Sequence, residues 1–353
     1  MFLDLAVSVG VFLTHGISRL IYYPVPYLPT GGVAVDPEVS IILPARNERD
    51  HLEQTVRSIW GARSGVTYEV IVVEDGSTDT TPEIADSLAH AALPRELAQR
   101  SPEGSKVPVP HAHESPPAAG LNVIHTGGLG AARARNVGAE AARGRILVFC
   151  DAHVFVEDGW LDELVQLLRS GDWDAVCPGI AAHDRTDLAG FGQSLSGSGE
   201  IRWLPKPEQP QAVPILPGAC IAVSSEVFRQ VGGFDDGFRT WGFEDIEWSL
   251  RMWLMGCRLG TTPNTVVRHV FRKVHPYAVP SYDYYYNLAR MALSHFSGPR
   301  LARLLRGLST HPMRFDLLVE VLSHQTLERR QELFNARVHS DEWLVQTFAL
   351  PLE

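Results

Sequence analysis

An acid and an imidazole stand two residues apart in the segment CDAHVFVEDGW, residues 150–160. The segment follows the apolar run Ile146–Phe149, so the pair comes at the end of a predicted buried strand. Side chains alternate along an extended backbone, which sends Asp151 and His153 to one side, where both can bind one ion. Taken singly, His153 also fits an ordinary loop histidine. The pair therefore indicates a chemical site without assigning its reaction.

The elements that must position this pair are apolar strands that alternate with amphipathic helices. Such alternation predicts an α/β fold with a doubly wound, mostly parallel sheet. In a sheet of this kind, ligands bind at the carboxyl ends of the strands. Polar segments stand at those predicted ends, namely PARNE (44–48), EDGSTD (74–79), TGGLG (126–130) and DAH (151–153).

Two acids, Asp75 and Asp151, end buried strands on the same predicted edge of the sheet, and we interpret both as functional. Asp79 is interpreted instead as a helix cap. The glycine run GGLGAA is a poor dinucleotide fingerprint, because it does not follow the first strand and Arg133 stands where the fingerprint closes with Gly or Ala.

Composition narrows the class of protein. The chain has 353 residues, of which 45% are hydrophobic and 20% charged, as in globular proteins. Its formal net charge of −10 argues against a surface that coats nucleic acid, which needs clustered Lys and Arg. The four cysteines lie in apolar segments without paired spacing, so we expect reduced core thiols in a cytoplasmic chain.

Three parts are predicted along the chain. Residues 1–36 read as an amphipathic helix and linker, and residues 1–23 are a candidate peripheral membrane contact. The catalytic domain is expected at 37–277 and a helical C-terminal extension at 278–353. Residues 94–118, rich in proline and charge, are interpreted as a mobile surface insertion, and the polar segment 182–211 as a substrate-facing loop or a plain insertion.

Several segments together resemble one family. VSIILPARNE, VVEDGSTD and GAARARNVGAEAARGRILVFCDAH are similar to the nucleotide-binding half of family 2 glycosyltransferases of the GT-A fold. VGGFDDGFRTWGFEDIEWSLRMW and VVRHVFRKVHPY, with the opening segment, resemble the catalytic domain of polypeptide N-acetylgalactosaminyltransferases. The resemblance covers roughly residues 39–277 and implies a GT-A domain that uses a nucleotide sugar.

The resemblance implies a metal site. Asp151 and His153 would bind a divalent cation, usually Mn²⁺, with His269 as the third protein ligand. Mixed oxygen and imidazole ligands suit Mn²⁺ better than Mg²⁺. The cation would meet the negative charge that develops on a diphosphate leaving group.

The resemblance also assigns residues to the donor, with Asp75 on the uracil edge, which implies a UDP-linked sugar. Arg133 or Arg135 would brace the nucleotide or stabilise its loop. The other positions that would contact the nucleotide, the diphosphate or the donor sugar are Pro44, Ala45, Asn47, Gly218, Trp241, Arg272, His275 and Tyr277.

One motif departs from the resembled pattern and bears on mechanism. GFED, residues 242–245, stands where the peptide transferases have GGEN. Asp245 is then available as the base of an inverting reaction, with Glu244 beside it, and we favour inversion over retention. Both acids also suit the first turn of a helix. The ring of Phe243 would stand beside the sugar, which argues against N-acetylgalactosamine as the donor sugar.

The predicted function is metal-dependent transfer of a hexosyl or N-acetylhexosaminyl group from a UDP-sugar to a peptide, natural-product or glycan acceptor. Two alternatives stay open. One is a GT-A-fold binding protein that has lost turnover, and the other is a retaining peptide O-glycosyltransferase.

Overall fold

The computed structural model describes residues 36–92 and 120–352. The predicted N-terminal helix and linker, the candidate membrane contact through residues 1–23 and the predicted insertion at 94–118 lie outside the described residues.

The first half of the sheet is parallel, as predicted. Its strands lie in the order β3-β2-β1-β4, and each neighbouring pair runs in the same direction. Helical connections return the chain to the same edge after each strand, which brings the carboxyl ends together. The elements are β1 Val39–Ala45, α1 Leu52–Gly61, β2 Tyr68–Asp75, α2 Thr81–Ala91, β3 Leu121–Thr126, α3 Ala131–Ala141 and β4 Ile146–Cys150.

The second half of the sheet is mixed, in the order β4-β11-β6-β12-β10. Strand β11 runs antiparallel to both β4 and β6, whereas β12 runs parallel to β6. The segment predicted as a loop or insertion at 182–211 contains short strands. The elements are β5 Val154–Phe155, α4 Trp160–Arg169, β6 Ala175–Ala182, β7 Arg185–Gly190, β8 Gln193–Leu195, β9 Ile201–Trp203, β10 Gln211–Ala212, β11 Cys220–Ser224, α5 Ser225–Gln230, α6 Glu244–Leu254 and β12 Leu259–His269.

Alternation along the central strands builds a core on each face of the sheet. Ile42 of β1 packs on one face, while Ile41 and Leu43 pack on the other. Helices α1, α2 and α4 cover the second face. Helices α3 and α6 and the C-terminal helices cover the first. The predicted doubly wound, mostly parallel sheet is therefore confirmed.

The described chain ends in helices, as predicted, and the first, second and last of them contribute side chains to the core on the first face. Their bounds are α7 Ser281–His295, α8 Gly298–Leu305, α9 Arg314–Ser323, α10 Thr326–Ala336 and α11 Asp341–Phe348. Within the described ranges, every helix is too short or too polar to cross a bilayer. The domain limits at 37–277 and 278–353 stay predictions.

All four cysteines are free thiols. Cys150, Cys177 and Cys220 are buried in the core, as predicted, and Cys257 is half-buried. None of them takes part in the site described next.

Candidate active site

Three predicted metal ligands meet at the carboxyl edge of the sheet. Asp151 follows β4, His153 precedes β5, and His269 ends β12. Strands β5 and β12 pair, and the Val270 N–H donates to the carbonyl of His153 at 3.2 Å, which draws the two histidines together. One ligand atom from each of the three side chains lies within 4.8 Å of the others. That spacing allows all three to bind a single ion.

The hydrogen bonding of His153 leaves one ring nitrogen available to bind a cation. Nδ1 of His153 lies 3.1 Å from Oε1 of Glu48. Burial opposes ionisation of Glu48, but hydrogen bonds from Arg272 and His153 outweigh it and lower the pKa of that carboxyl. Because an ionised carboxylate only accepts, Nδ1 of His153 is the nitrogen that donates to Glu48, and Nε2 is the ring nitrogen left to bind a metal.

Asp151 is held as an anion. Its Oδ2 lies 3.2 Å from Nε2 of His269, and its Oδ1 accepts from Nη2 of Arg135 at 3.1 Å. Burial would raise the pKa of Asp151, but the hydrogen bond from His269 and the charges of His153 and Arg135 lower it well below its usual range. The site therefore presents a charged oxygen ligand.

A buried arginine connects the metal ligands to the helix that carries the predicted catalytic acids. Arg135 of α3 donates from Nη1 to Oε1 of Glu244 at 2.9 Å and from Nη2 to the carbonyl of Gly218 at 3.3 Å. These bonds join Arg135 to α6 and to the backbone of Gly218, and its role toward the nucleotide stays a prediction. Arg133 is exposed and donates to the carbonyl of Asp236 at 2.6 Å.

Asp245 lies beside this cluster in an environment that favours its protonated form. Its Oδ2 accepts from the Gly218 N–H at 2.7 Å, and its Oδ1 from the Ile246 N–H at 2.9 Å. Burial and the neighbouring Glu244 raise the pKa of Asp245 to about 7, although these backbone bonds and Arg135 act in the opposite direction. A carboxylate with this pKa can accept a proton near neutral pH.

Two residues predicted to bind the nucleotide, Asn47 and Asp75, form hydrogen bonds between neighbouring loops. Asn47, at φ 55°, accepts from the Thr78 N–H at 2.7 Å and donates to the carbonyl of Pro276 at 2.9 Å. Asp75 is buried and accepts from the backbone N–H groups of Leu129 at 2.5 Å and Gly130 at 2.9 Å. Asp75 thus holds the glycine-rich loop, and its contact with uracil stays a prediction, as do those of Pro44 and Ala45 at the end of β1.

The segment after β12 lies against the same edge. Arg272 makes a bidentate ion pair with Glu48, with Nη1 2.7 Å from Oε1. The rings of His275 and Trp241 are 4.4 Å apart between centroids. Burial, Arg272 and His153 together lower the pKa of His275. Glu48 thus joins Arg272 to the metal ligand His153, and His275 packs against Trp241.

The ring of Phe243, predicted to stand beside the donor sugar, is buried. Its side chain is 4% exposed, and its ring packs 4.9 Å from that of Tyr284. The ring belongs to the core, so the steric argument against N-acetylgalactosamine is not supported.

Two residues of the site were missed at the level of sequence. Glu48 pairs with both His153 and Arg272, and the guanidinium of Arg46 lies 5.0 Å from the centroid of the Tyr277 ring. Both belong to the PARNE segment, which was predicted to lie at this edge of the sheet. The role of Glu48 could not be predicted, because no local sequence pattern indicates that it pairs with residue 272.

The chain is similar to known proteins over most of its described length. Residues 40–232 match the model of "Glycosyl transferase family 2", and residues 204–276 match "N-terminal domain of galactosyltransferase". Polypeptide N-acetylgalactosaminyltransferase 12 of Mus musculus is 34% identical over 166 residues, which are 42% of this chain and 29% of that protein. Polypeptide N-acetylgalactosaminyltransferase 8 of Drosophila melanogaster is 28% identical over 275 residues, which are 74% and 41%.

A solved structure shares the fold. The crystal structure of GalNAc-T7 with UDP, GalNAc and Mn²⁺ superimposes with a TM-score of 0.64 at 18% identity and covers 89% of this chain and 56% of that one. The GT-A fold expected from the resemblance is thereby confirmed. The chain spans less than half the length of the two curated relatives named above.

Proposed function

The chain belongs to glycosyl transferase family 2, and from this premise we propose that it transfers a sugar from a UDP-linked donor to a hydroxyl-bearing acceptor in the presence of a divalent cation. The observation that carries the proposal is the group Asp151, His153 and His269, whose ligand atoms lie within 4.8 Å of one another at the carboxyl edge of the sheet.

The proposed cation is Mn²⁺, or alternatively Mg²⁺, held by these three residues. It would neutralise negative charge on the departing diphosphate. Glu48 orients His153 through Nδ1, and Arg135 keeps Asp151 in place from the opposite side. The mixed oxygen and nitrogen ligands favour Mn²⁺.

The proposed donor is a UDP-sugar. The relatives named as N-acetylgalactosaminyltransferases and the related structure with UDP support this choice. Arg272, His275 and Tyr277 are proposed to contact the diphosphate, and Trp241 and Gly218 the sugar. In the structure Glu48 neutralises Arg272. Diphosphate binding would therefore compete with Glu48 for that guanidinium.

We propose that the reaction inverts the anomeric centre, with Asp245 as the base. Asp245 would take the proton of the acceptor hydroxyl while the acceptor oxygen bonds to the anomeric carbon and the bond to the diphosphate breaks. The pKa of about 7 supports this role, because a base of that pKa is half ionised at neutral pH. Glu244 is tied to Arg135 and to the Gly242 N–H, so its part is to hold the loop and to raise the pKa of Asp245.

A second candidate is retaining transfer to a peptide. The names of the relatives favour a polypeptide acceptor and an N-acetylgalactosamine donor, and the burial of the Phe243 ring is compatible with that donor. Under this alternative Asp245 would hold Gly218 in place without taking a proton.

The test is a donor screen with the full chain. UDP release is measured for a panel of UDP-sugars with and without Mn²⁺, with Asp151→Ala as the site variant and the exposed Asp158→Ala as the matched control. We expect Mn²⁺-dependent UDP release from wild type and from Asp158→Ala, and none from Asp151→Ala. UDP binding without release would favour the inactive binding protein, and NMR of the anomeric linkage separates inversion from retention.

A further inference from the structure

One side chain of the C-terminal helices is wholly engaged with the segment that precedes the catalytic acids. Asn287 of α7 is 0% exposed. Its Oδ1 accepts from the Arg239 N–H at 2.9 Å. Its Nδ2 contacts the carbonyls of Arg239 at 2.8 Å, Trp241 at 3.3 Å and Gly242 at 3.0 Å. Every hydrogen bond described for this amide goes to the backbone of residues 239–242.

The segment 239–242 needs support from outside. Thr240 has φ 29°, Gly242 has φ 104° and Phe243 has φ 68°, and non-glycine residues rarely adopt positive φ values. Such backbone persists only where its surroundings over-determine it. The carbonyls that Asn287 contacts belong to residues outside the helices and strands. The side-chain amide therefore supplies hydrogen bonds that secondary structure would otherwise provide.

The segment 239–242 also contacts the two helices that carry Arg135 and the predicted catalytic acids. The carbonyl of Thr240 accepts from the Ala131 N–H at 2.9 Å, at the start of the helix that carries Arg135. The Gly242 N–H donates to Oε2 of Glu244 at 2.9 Å, and α6 begins at Glu244. Displacing the segment would therefore move Trp241 and both acids.

Other contacts from α7 act on the same region. The Thr240 hydroxyl donates to Asp283 at 2.6 Å. Arg290 forms a bidentate pair with buried Asp235, with both distances 2.9 Å. One helix thus holds residues 235–242 at several points, and Asn287 lies between the other two contacts in sequence.

We propose that Asn287 is a positioning residue for Trp241 and for the pair Glu244 and Asp245, so that the C-terminal helices complete the active site. The inference rests on the proposed glycosyl transfer. Asn287 acts through the backbone that it holds and touches neither the metal ligands nor Asp245.

The test combines kinetics with hydrogen exchange in the full chain. Asn287→Ala is expected to lower kcat about tenfold or more and to raise the KM for the UDP-sugar by a smaller factor, because Trp241 is displaced while the metal ligands keep their own supports. Amide exchange in residues 239–245 should speed up, whereas exchange in β1 and β4 should stay at the wild-type rate.

The matched control is Leu317→Ala, which removes a fully buried side chain from the cluster between α7 and α9. It should lower Tm while kcat, measured well below Tm, stays at the wild-type value. Asn287→Ala with wild-type kcat and wild-type exchange at 239–245 would overturn the proposal.

Two further measurements keep the test decisive. If Asn287→Ala does not fold, Thr240→Val removes the bond to Asp283 and should change the same parameters in the same direction, and no change would count against the inference. If wild type releases no UDP from any donor, the proposed function fails, while the exchange rates still decide whether Asn287 holds the segment.

Discussion

The isosteric change Asp245→Asn tests the proposed base. An amide keeps the shape of the side chain but cannot take the acceptor proton. One of its ends can still accept from the Gly218 N–H, which lies 2.7 Å from Oδ2. At the other end, the amide NH₂ group would replace Oδ1, which accepts from the Ile246 N–H at 2.9 Å in wild type. That lost bond costs about 1 kcal/mol, so we expect a folded variant.

The expected loss of activity is large. A positioned general base contributes about 100-fold to 10,000-fold, so kcat should fall by at least about 100-fold. Binding of UDP in the presence of Mn²⁺ should stay within about threefold of wild type, because Asp245 is outside the proposed ligand set.

The pH profile gives an independent check. The pKa of Asp245 is about 7, raised by burial and by Glu244 against the opposing charge of Arg135. In wild type, kcat/KM should fall about tenfold for each pH unit below that value and level off above it. The variant should lose this limb of the profile.

The stability of the wild-type fold should change with pH in the opposite direction to its activity. The pKa of Asp245 is higher in the folded chain than in the unfolded chain, so its protonation favours folding at low pH, and this contribution is lost as pH rises through about 7. The amide carries no charge at any pH, so the Tm of the variant relative to wild type should rise as pH increases toward about 7 and level off above it.

The assay is UDP release at saturating Mn²⁺ from about pH 6 to about pH 8, a range centred on the expected pKa. The control is Asp158→Asn, whose carboxylate is exposed and pairs with Arg63. Wild-type kcat in Asp245→Asn, together with a retained anomeric configuration in the product, would refute the base assignment and favour the retaining reaction.

Three further predictions concern the cluster around Asp151. Asp151→Ala should abolish Mn²⁺-dependent UDP binding in calorimetry, and unchanged binding would remove the metal site. Glu48→Gln should weaken Mn²⁺ affinity about 10-fold to 100-fold, because His153 loses its orienting carboxylate, and unchanged affinity in a Mn²⁺ titration would contradict that role. Arg135→Met should destabilise the fold by about 3–5 kcal/mol, since it leaves the buried acids unpaired, and denaturant unfolding with wild-type stability would contradict this expectation.

Much of the fold was predictable because its signals are local. Continuous apolar runs and helical periodicity identified β1, β2, β3 and β4 and the helices that follow β1 and β3. Strand β12 was not predicted, because Pro263 and Asn264 interrupt its pattern and its pairing with β6 shifts register between Thr261 and Val266. Only the neighbouring strand identifies that irregular segment as part of the sheet.

The sequence by itself determined which polar segments stand at the carboxyl edge, since strand direction and alternation follow from short-range pattern. Tertiary structure decided what those side chains do. Asp75 holds the glycine-rich loop, Glu48 joins His153 to Arg272, and Asn287 supports residues 239–242. These partners lie far apart along the chain, and their distances depend on how helices and strands pack, which periodicity does not encode.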